Sequence, residues 1–88
     1  MLEWDESKRI GNVEKHGLDF RDAAALFDGR PTLHAEADHS IEVRMLTTAI
    51  LGDIFVTLVW TWRGTNQRAI SFRRARHGER RAYRQLHV

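Results

Sequence analysis

Ile54-Phe55-Val56-Thr57-Leu58-Val59-Trp60-Thr61-Trp62 is the most apolar stretch of the chain. β-Branched and aromatic residues dominate it, and neither Gly nor Pro interrupts it, so it reads as a β-strand. Ile54, Val56, Leu58, Trp60 and Trp62 share one face, and Phe55, Thr57, Val59 and Thr61 the other. Apolar side chains on both faces suit a central strand covered on both sides. At nine residues the run is far short of the roughly 20 that a membrane helix needs.

Reading outward, Gly52-Asp53 is a tight turn, and Glu42 to Leu51 before it alternates as a partner strand. Thr32 to Ala37 is a candidate edge strand, ending in a turn at Asp38-His39-Ser40. On the other side, Gly64-Thr65-Asn66 turns the chain into a last strand, Gln67 to Ala75. Residues 2–4 form a short fifth strand if they pair. The period shifts towards helix at both ends. Asp5 is an N-cap and Gly17 a C-terminal stop, with Lys8, Ile10, Val13 and His16 between them. Asp19 caps a second helix with a stripe at Phe20, Ala23, Ala24 and Phe27, closed by Asp28-Gly29-Arg30-Pro31. Glu79, Ala82, Tyr83 and Leu86 stripe a C-terminal helix. The expected fold is α+β: two N-terminal helices and one C-terminal helix packed on one face of an antiparallel sheet of four strands, or five with residues 2–4.

The 88 residues are 42% hydrophobic and 30% charged, which fits one globular domain over 1–88 rather than a disordered chain. There is no Cys, hence no disulfide and no thiolate chemistry. The start, Met1-Leu2-Glu3-Trp4-Asp5, lacks the basic and apolar regions of a signal peptide, so a cytoplasmic protein without membrane contact is expected. Charge is unevenly spread. Residues 1–62 carry six Lys or Arg against eleven Asp or Glu, a balance of −5, whereas residues 63–88 carry eight Arg and one Glu, a balance of +7. Guanidinium forks match phosphate and carboxylate, so the C-terminal third points to a polyanion or an acidic protein. A plain solvated surface is the alternative.

Several chemistries are excluded. His16, His34, His39, His77 and His87 make no HxxxH pair, so neither a metal nor any other cofactor is called for. No phosphate loop or dinucleotide fingerprint occurs, and Ser71 lies within a strand rather than on a nucleophile elbow. What remains is the Arg-rich end. Alternation puts Arg73 on the Ser71 face and separates it from Arg68 and Arg74, while Arg63 falls on the Thr61 face of the central strand. An Arg row across two neighbouring strands makes a cationic floor for a phosphodiester backbone. Trp60, Trp62 and Tyr83 are candidates for base stacking, although core packing is the simpler role for the two Trp and a helix anchor for Tyr83.

Three blocks of residues carry a family likeness. Trp4-Asp5-x-x-Lys8-x-x-x-Asn12-x-x-Lys15-His16-Gly17-x-x-Phe20-x-x-Ala23-x-x-x-Phe27 comes first. His39-Ser40-x-Glu42-x-Arg44 follows. Thr61-x-Arg63 with Arg68-x-Ile70-Ser71-x-Arg73-x-Ala75-x-x-x-Glu79-Arg80-x-x-Tyr83 closes the pattern. Together they resemble the BrnT family of toxins. The resemblance implies the toxin of a bacterial type II toxin–antitoxin pair with a RelE-like fold, a ribonuclease that inhibits translation in a stress response. It also implies a neutralising ribbon-helix-helix antitoxin, BrnA-like, through which alone the complex meets DNA.

The same resemblance implies a metal-independent reaction in which the RNA 2′-hydroxyl attacks the adjacent phosphate. Arg73 is the expected phosphorane clamp, joined by Arg63. Glu79 or His16 takes the 2′ proton, and Tyr83 orients substrate or donates to the leaving oxygen. Imidazole ordinarily changes charge between about pH 5 and 8 and suits proton transfer. A phenol titrates near about 10 and needs cations beside it. Lys15, Arg68, Arg74, Arg76, Arg80 and Arg81 are expected on the RNA backbone. A competing reading is a non-catalytic RNA-binding or antitoxin-docking module, in which Glu79 and Tyr83 only brace the last helix.

Overall fold

The computed structural model describes residues 1–39 and 42–87. Strand β1 (Leu2–Glu3) leads into helix α1 (Glu6–His16), then a single α-turn, α2 (Phe20–Ala23), continued by a 3-10 turn at Ala24–Phe27. Strands β2 (Leu33–His39), β3 (Glu42–Leu51), β4 (Ile54–Arg63) and β5 (Asn66–Arg74) follow, and helix α3 (His77–Leu86) ends the fold. The sheet order is β1-β5-β4-β3-β2. The stretch 54–62 is the central strand that its composition indicates.

The sheet is mixed rather than antiparallel. β2 to β5 form an antiparallel meander, but β1 runs parallel to β5, Leu2 opposite Gln67 and Glu3 opposite Arg68. β5 has only β4 on its inner side, and β1 supplies polar partners along part of its outer edge, the Gln67 N–H donating to the Met1 carbonyl at 2.9 Å. β2 continues through Asp38 and His39, where a turn is expected from sequence. The rest of that turn, Ser40, lies outside the described residues.

The caps of α1 follow the sequence reading. The Asp5 side chain accepts from the N–H groups of Ser7 and Lys8, and Gly17 stops the helix at φ 68°, a left-handed conformation that glycine adopts without strain. The buried side of α1 is not apolar, however. Ile10 and Val13 are exposed and Asn12 is buried. The second helix is likewise not a regular α-helix. Its buried residues are Phe20, Ala23 and Leu26, with Ala24 exposed. That spacing of three is the period of the 3-10 turn.

Phe20, Ala23 and Leu26 pack on Ala49, Val56, Leu58, Trp60, Ala69 and Phe72 to form the core. Each fully buried Leu, Val or Phe contributes about 1.5–3 kcal/mol. Trp60 is part of this core, with its indole N–H donating to Thr47 Oγ1 at 2.9 Å and Phe27 edge-on to its ring. The three helices do not share one face of the sheet. Tyr83 of α3 stacks edge-on against Phe55, and Glu79 accepts from Thr57. Phe55 and Thr57 belong to the face of β4 opposite Val56, Leu58 and Trp60. Helix α3 therefore covers one end of that second face and leaves the other end open. No helix among the described residues is long and apolar enough to cross a membrane.

Candidate active site

The open part of the second face is a cleft of about 400 Å³. Register builds its floor: Leu46 of β3 lies opposite Val59 of β4, which lies opposite Ser71 of β5. The walls are charged. Lys15 and His16 reach in from the end of α1, Arg44 from β3, Arg73 from β5, and Arg76 from the start of α3. Among the described residues, no carboxylate lines the cleft.

A bulge widens the cationic surface. Between Val59 and Trp60 the β4–β5 register slips, so Val59 faces Ser71 while Trp60 faces Ala69, and Ile70 is left over. An extra residue reverses the alternation beyond it. Arg68, opposite Thr61, thereby comes onto the face of Arg73, opposite Thr57. The separation of Arg68 from Arg73 expected from simple alternation is overturned by this one residue. A second hollow of about 120 Å³ results, lined by Lys8, Glu42, Arg44, Thr61, Arg63, Arg68, Ala69 and Ile70. Arg44 and Ile70 line both hollows, which makes one groove across the sheet.

Arg73 is the most firmly held cation of the groove. Its two terminal nitrogens donate to Glu79 Oε1 and Oε2 at 2.8 and 2.9 Å, and the pair is only 13% and 18% exposed. Such a fork-to-carboxylate pair fixes orientation as well as charge. Glu79 Oε1 also accepts from the Arg76 N–H at 2.8 Å and from the Thr57 hydroxyl at 3.0 Å. Burial pushes the carboxyl up, but the hydrogen bonds from Arg73, Arg76 and Thr57 outweigh it and hold the group at about 2. Glu79 is thus an anion at neutral pH that accepts four hydrogen bonds. Around the second hollow, Arg44 donates to Glu42 at 3.1 Å, and Arg68 lies 3.9 Å from Glu3.

The position of α1 over the cleft is set by Asn12. Its amide bridges the Leu18 carbonyl at 2.7 Å and both backbone groups of Phe72, at 2.8 Å to the carbonyl and 3.0 Å from the N–H. Phe72 immediately precedes Arg73, so the helix end bearing Lys15 and His16 is registered against the strand bearing Arg73.

Of the residues singled out from sequence, Arg73, His16, Lys15 and Arg76 come together in the larger hollow, and Arg63 and Arg68 in the smaller. Tyr83 is buried under α3 between Phe55 and His87 and does not line the cleft. Arg74, Arg80 and Arg81 line neither hollow. Trp62 is 58% exposed and packs edge-on against Trp60. Sequence reasoning overlooked Arg44 and Lys8 as groove residues. Both carry a periodic signal: Arg44 alternates onto the Leu46 face, and Lys8, Asn12 and Lys15 fall at i, i+4 and i+7 of α1. Among the described residues no three His, Asp or Glu side chains gather as metal ligands do.

The family model described as "Ribonuclease toxin, BrnT, of type II toxin-antitoxin system" matches residues 4–79. No curated protein matches the chain.

Proposed function

Since the chain belongs to the BrnT family of type II toxin–antitoxin ribonuclease toxins, we propose that its Arg73 cleft is where RNA is cut. A cognate antitoxin partner comes with that family. The 2′-hydroxyl attacks the adjacent phosphorus while the bond to the 5′ oxygen breaks, leaving a 2′,3′-cyclic phosphate and a 5′-hydroxyl. Arg73 stabilises the charge that grows on the phosphorane, as a preorganised donor in a partly dry site does. His16, on the same cleft, takes the 2′ proton, and solvent supplies the proton to the leaving oxygen. Glu79, charged and fully engaged, anchors Arg73 and does not carry protons. Lys15, Arg44, Arg76 and Arg68 hold the backbone on either side. A lining of guanidinium and ammonium groups supplies the positive charge that a divalent ion provides elsewhere, which favours a metal-independent reaction.

The observation that carries this reading is the placement of a bidentately held Arg73 in the same cleft as His16. The test uses the purified chain, freed of antitoxin, on defined RNA with EDTA present. Cyclic-phosphate ends that vanish with Arg73→Ala support it. Intact RNA with a salt-sensitive gel shift supports the binding-module reading instead. Growth arrest on expression, relieved by the antitoxin, tests inhibition of translation as the cellular outcome. A ribbon-helix-helix antitoxin with an acidic segment fits the same groove by charge complementarity and competes with RNA for it.

A further inference from the structure

One transverse row of the sheet runs Leu33, Thr48, Thr57, Arg73 from β2 to β5. Its two threonines are essentially inaccessible, at 1% and 0% exposure. Their hydroxyl oxygens are 2.7 Å apart, and Thr57 Oγ1 is 3.0 Å from Glu79 Oε1. The direction of this chain is fixed by chemistry. An ionised carboxylate only accepts, so the single Thr57 proton goes to Glu79, and Thr48 donates to Thr57. Burying two hydroxyls in a sheet is unfavourable unless each is satisfied, and valine fills the same volume without that cost. Neither hydroxyl has another partner among the described residues. Their common terminus is the carboxylate that orients Arg73.

We propose that Thr57, itself oriented by Thr48, is a positioning residue for RNA cleavage: it pins the Glu79 carboxylate so that the Arg73 guanidinium keeps one orientation in the cleft. Without the Thr57 hydroxyl, Glu79 Oε1 retains Arg73 and the Arg76 N–H but loses its tie to the central strand β4. The carboxylate then moves with the first turn of α3, and Arg73 moves with it. The inference rests on the cleft being the ribonuclease site, and the experiment separates the two.

The full-length chain carrying Thr57→Val, Thr48→Val or Thr57→Ser is compared with wild type. Thr57→Val lowers kcat about 10- to 100-fold, the scale of a misplaced catalytic group. Its KM stays within about threefold, because the lost interaction is one that matters in the transition state. Thr57→Ser, which keeps the hydroxyl, restores kcat, and Thr48→Val has a smaller effect of the same kind. Two NMR readouts need no RNA. In Thr57→Val the Arg73 side-chain N–H signals show faster guanidinium rotation, and the Glu79 carboxyl titrates at higher pH than in wild type. A purely structural role changes the melting temperature and leaves kcat per folded molecule and Arg73 rotation alone; that result overturns the inference. If wild type cuts no RNA, the ribonuclease site is the reading that fails, and the inference about catalysis falls with it, whatever the NMR shows.

Discussion

The side chain of Asn12 acts as a short extra strand for Phe72. Its amide satisfies both the N–H and the carbonyl of that residue, at 3.0 and 2.8 Å, on the edge of β5 beyond the two positions paired to β1. Asn12→Ala leaves both of these backbone groups and the Leu18 carbonyl without a partner, at a cost of about 2–3 kcal/mol. The urea midpoint falls accordingly with an unchanged slope. Cleavage falls further than stability explains, because Lys15 and His16 lose their register against Arg73. An unchanged midpoint would show that water replaces the amide at no cost.

Glu79 makes the fold acid-labile in a defined window. Its carboxyl, ordinarily near 4.5, titrates at about 2 in the folded chain. A depressed folded-state pKa contributes stability above the unfolded value and loses it as pH falls through the window down to the folded one. Wild type therefore loses stability as pH drops from about 5 to 2, with up to about 3 kcal/mol of that from Glu79. Asp19 and Asp28, held at about 2 by Arg21 and Arg30, add acid lability of their own. The difference between wild type and Glu79→Gln isolates the one group. It is largest near neutrality and closes towards pH 2, and parallel stability curves from pH 6 to 2 would refute the assignment.

The strands and the Arg-rich surface were legible because both are local patterns. Ile54 to Trp62 names its own faces, and those faces put Phe55, Thr57 and Val59 together on the side opposite Val56, Leu58 and Trp60. Two things were not legible. The bulge at Ile70 adds no unusual residue, so nothing in Gln67 to Ala75 announces that the alternation reverses and carries Arg68 across. The side of the sheet taken by α3 depends on whether Tyr83 finds Phe55 or the core, which is a tertiary choice between two apolar faces. Asn12 shows the opposite failure. A helix read by its apolar stripe points to Ile10 and Val13, whereas α1 is seated by an amide satisfying a strand edge.

The smaller hollow predicts how the groove divides its work. Lys8, Arg63 and Arg68 surround it and stand apart from His16. Alanine at any one of them raises KM several-fold and leaves kcat near wild type, and each reduces the salt slope of RNA binding by about 1. Arg63→Ala is the decisive member. If Arg63 joins Arg73 on the phosphorane, kcat drops and the salt slope changes no more than for its neighbours, which single-turnover cleavage across a salt series distinguishes.

Tyr83 ties α3 to the sheet, with ring centroids 5.5 Å from Phe55 and 4.7 Å from His87. Tyr83→Phe keeps these ring contacts and changes stability by less than about 1 kcal/mol. Tyr83→Ala opens a cavity under the helix and costs about 3 kcal/mol. The consequences for cleavage differ in kind. Glu79 sits one helical turn before Tyr83, so loosening α3 loosens the carboxylate that holds Arg73, and the alanine variant loses cleavage even at temperatures where it is folded. The phenylalanine variant keeps it, because Tyr83 does not line the cleft. A Tyr83→Phe protein that melts like wild type and yet fails to cut RNA would bring the hydroxyl back to the reacting phosphate, and would require α3 to move when RNA binds.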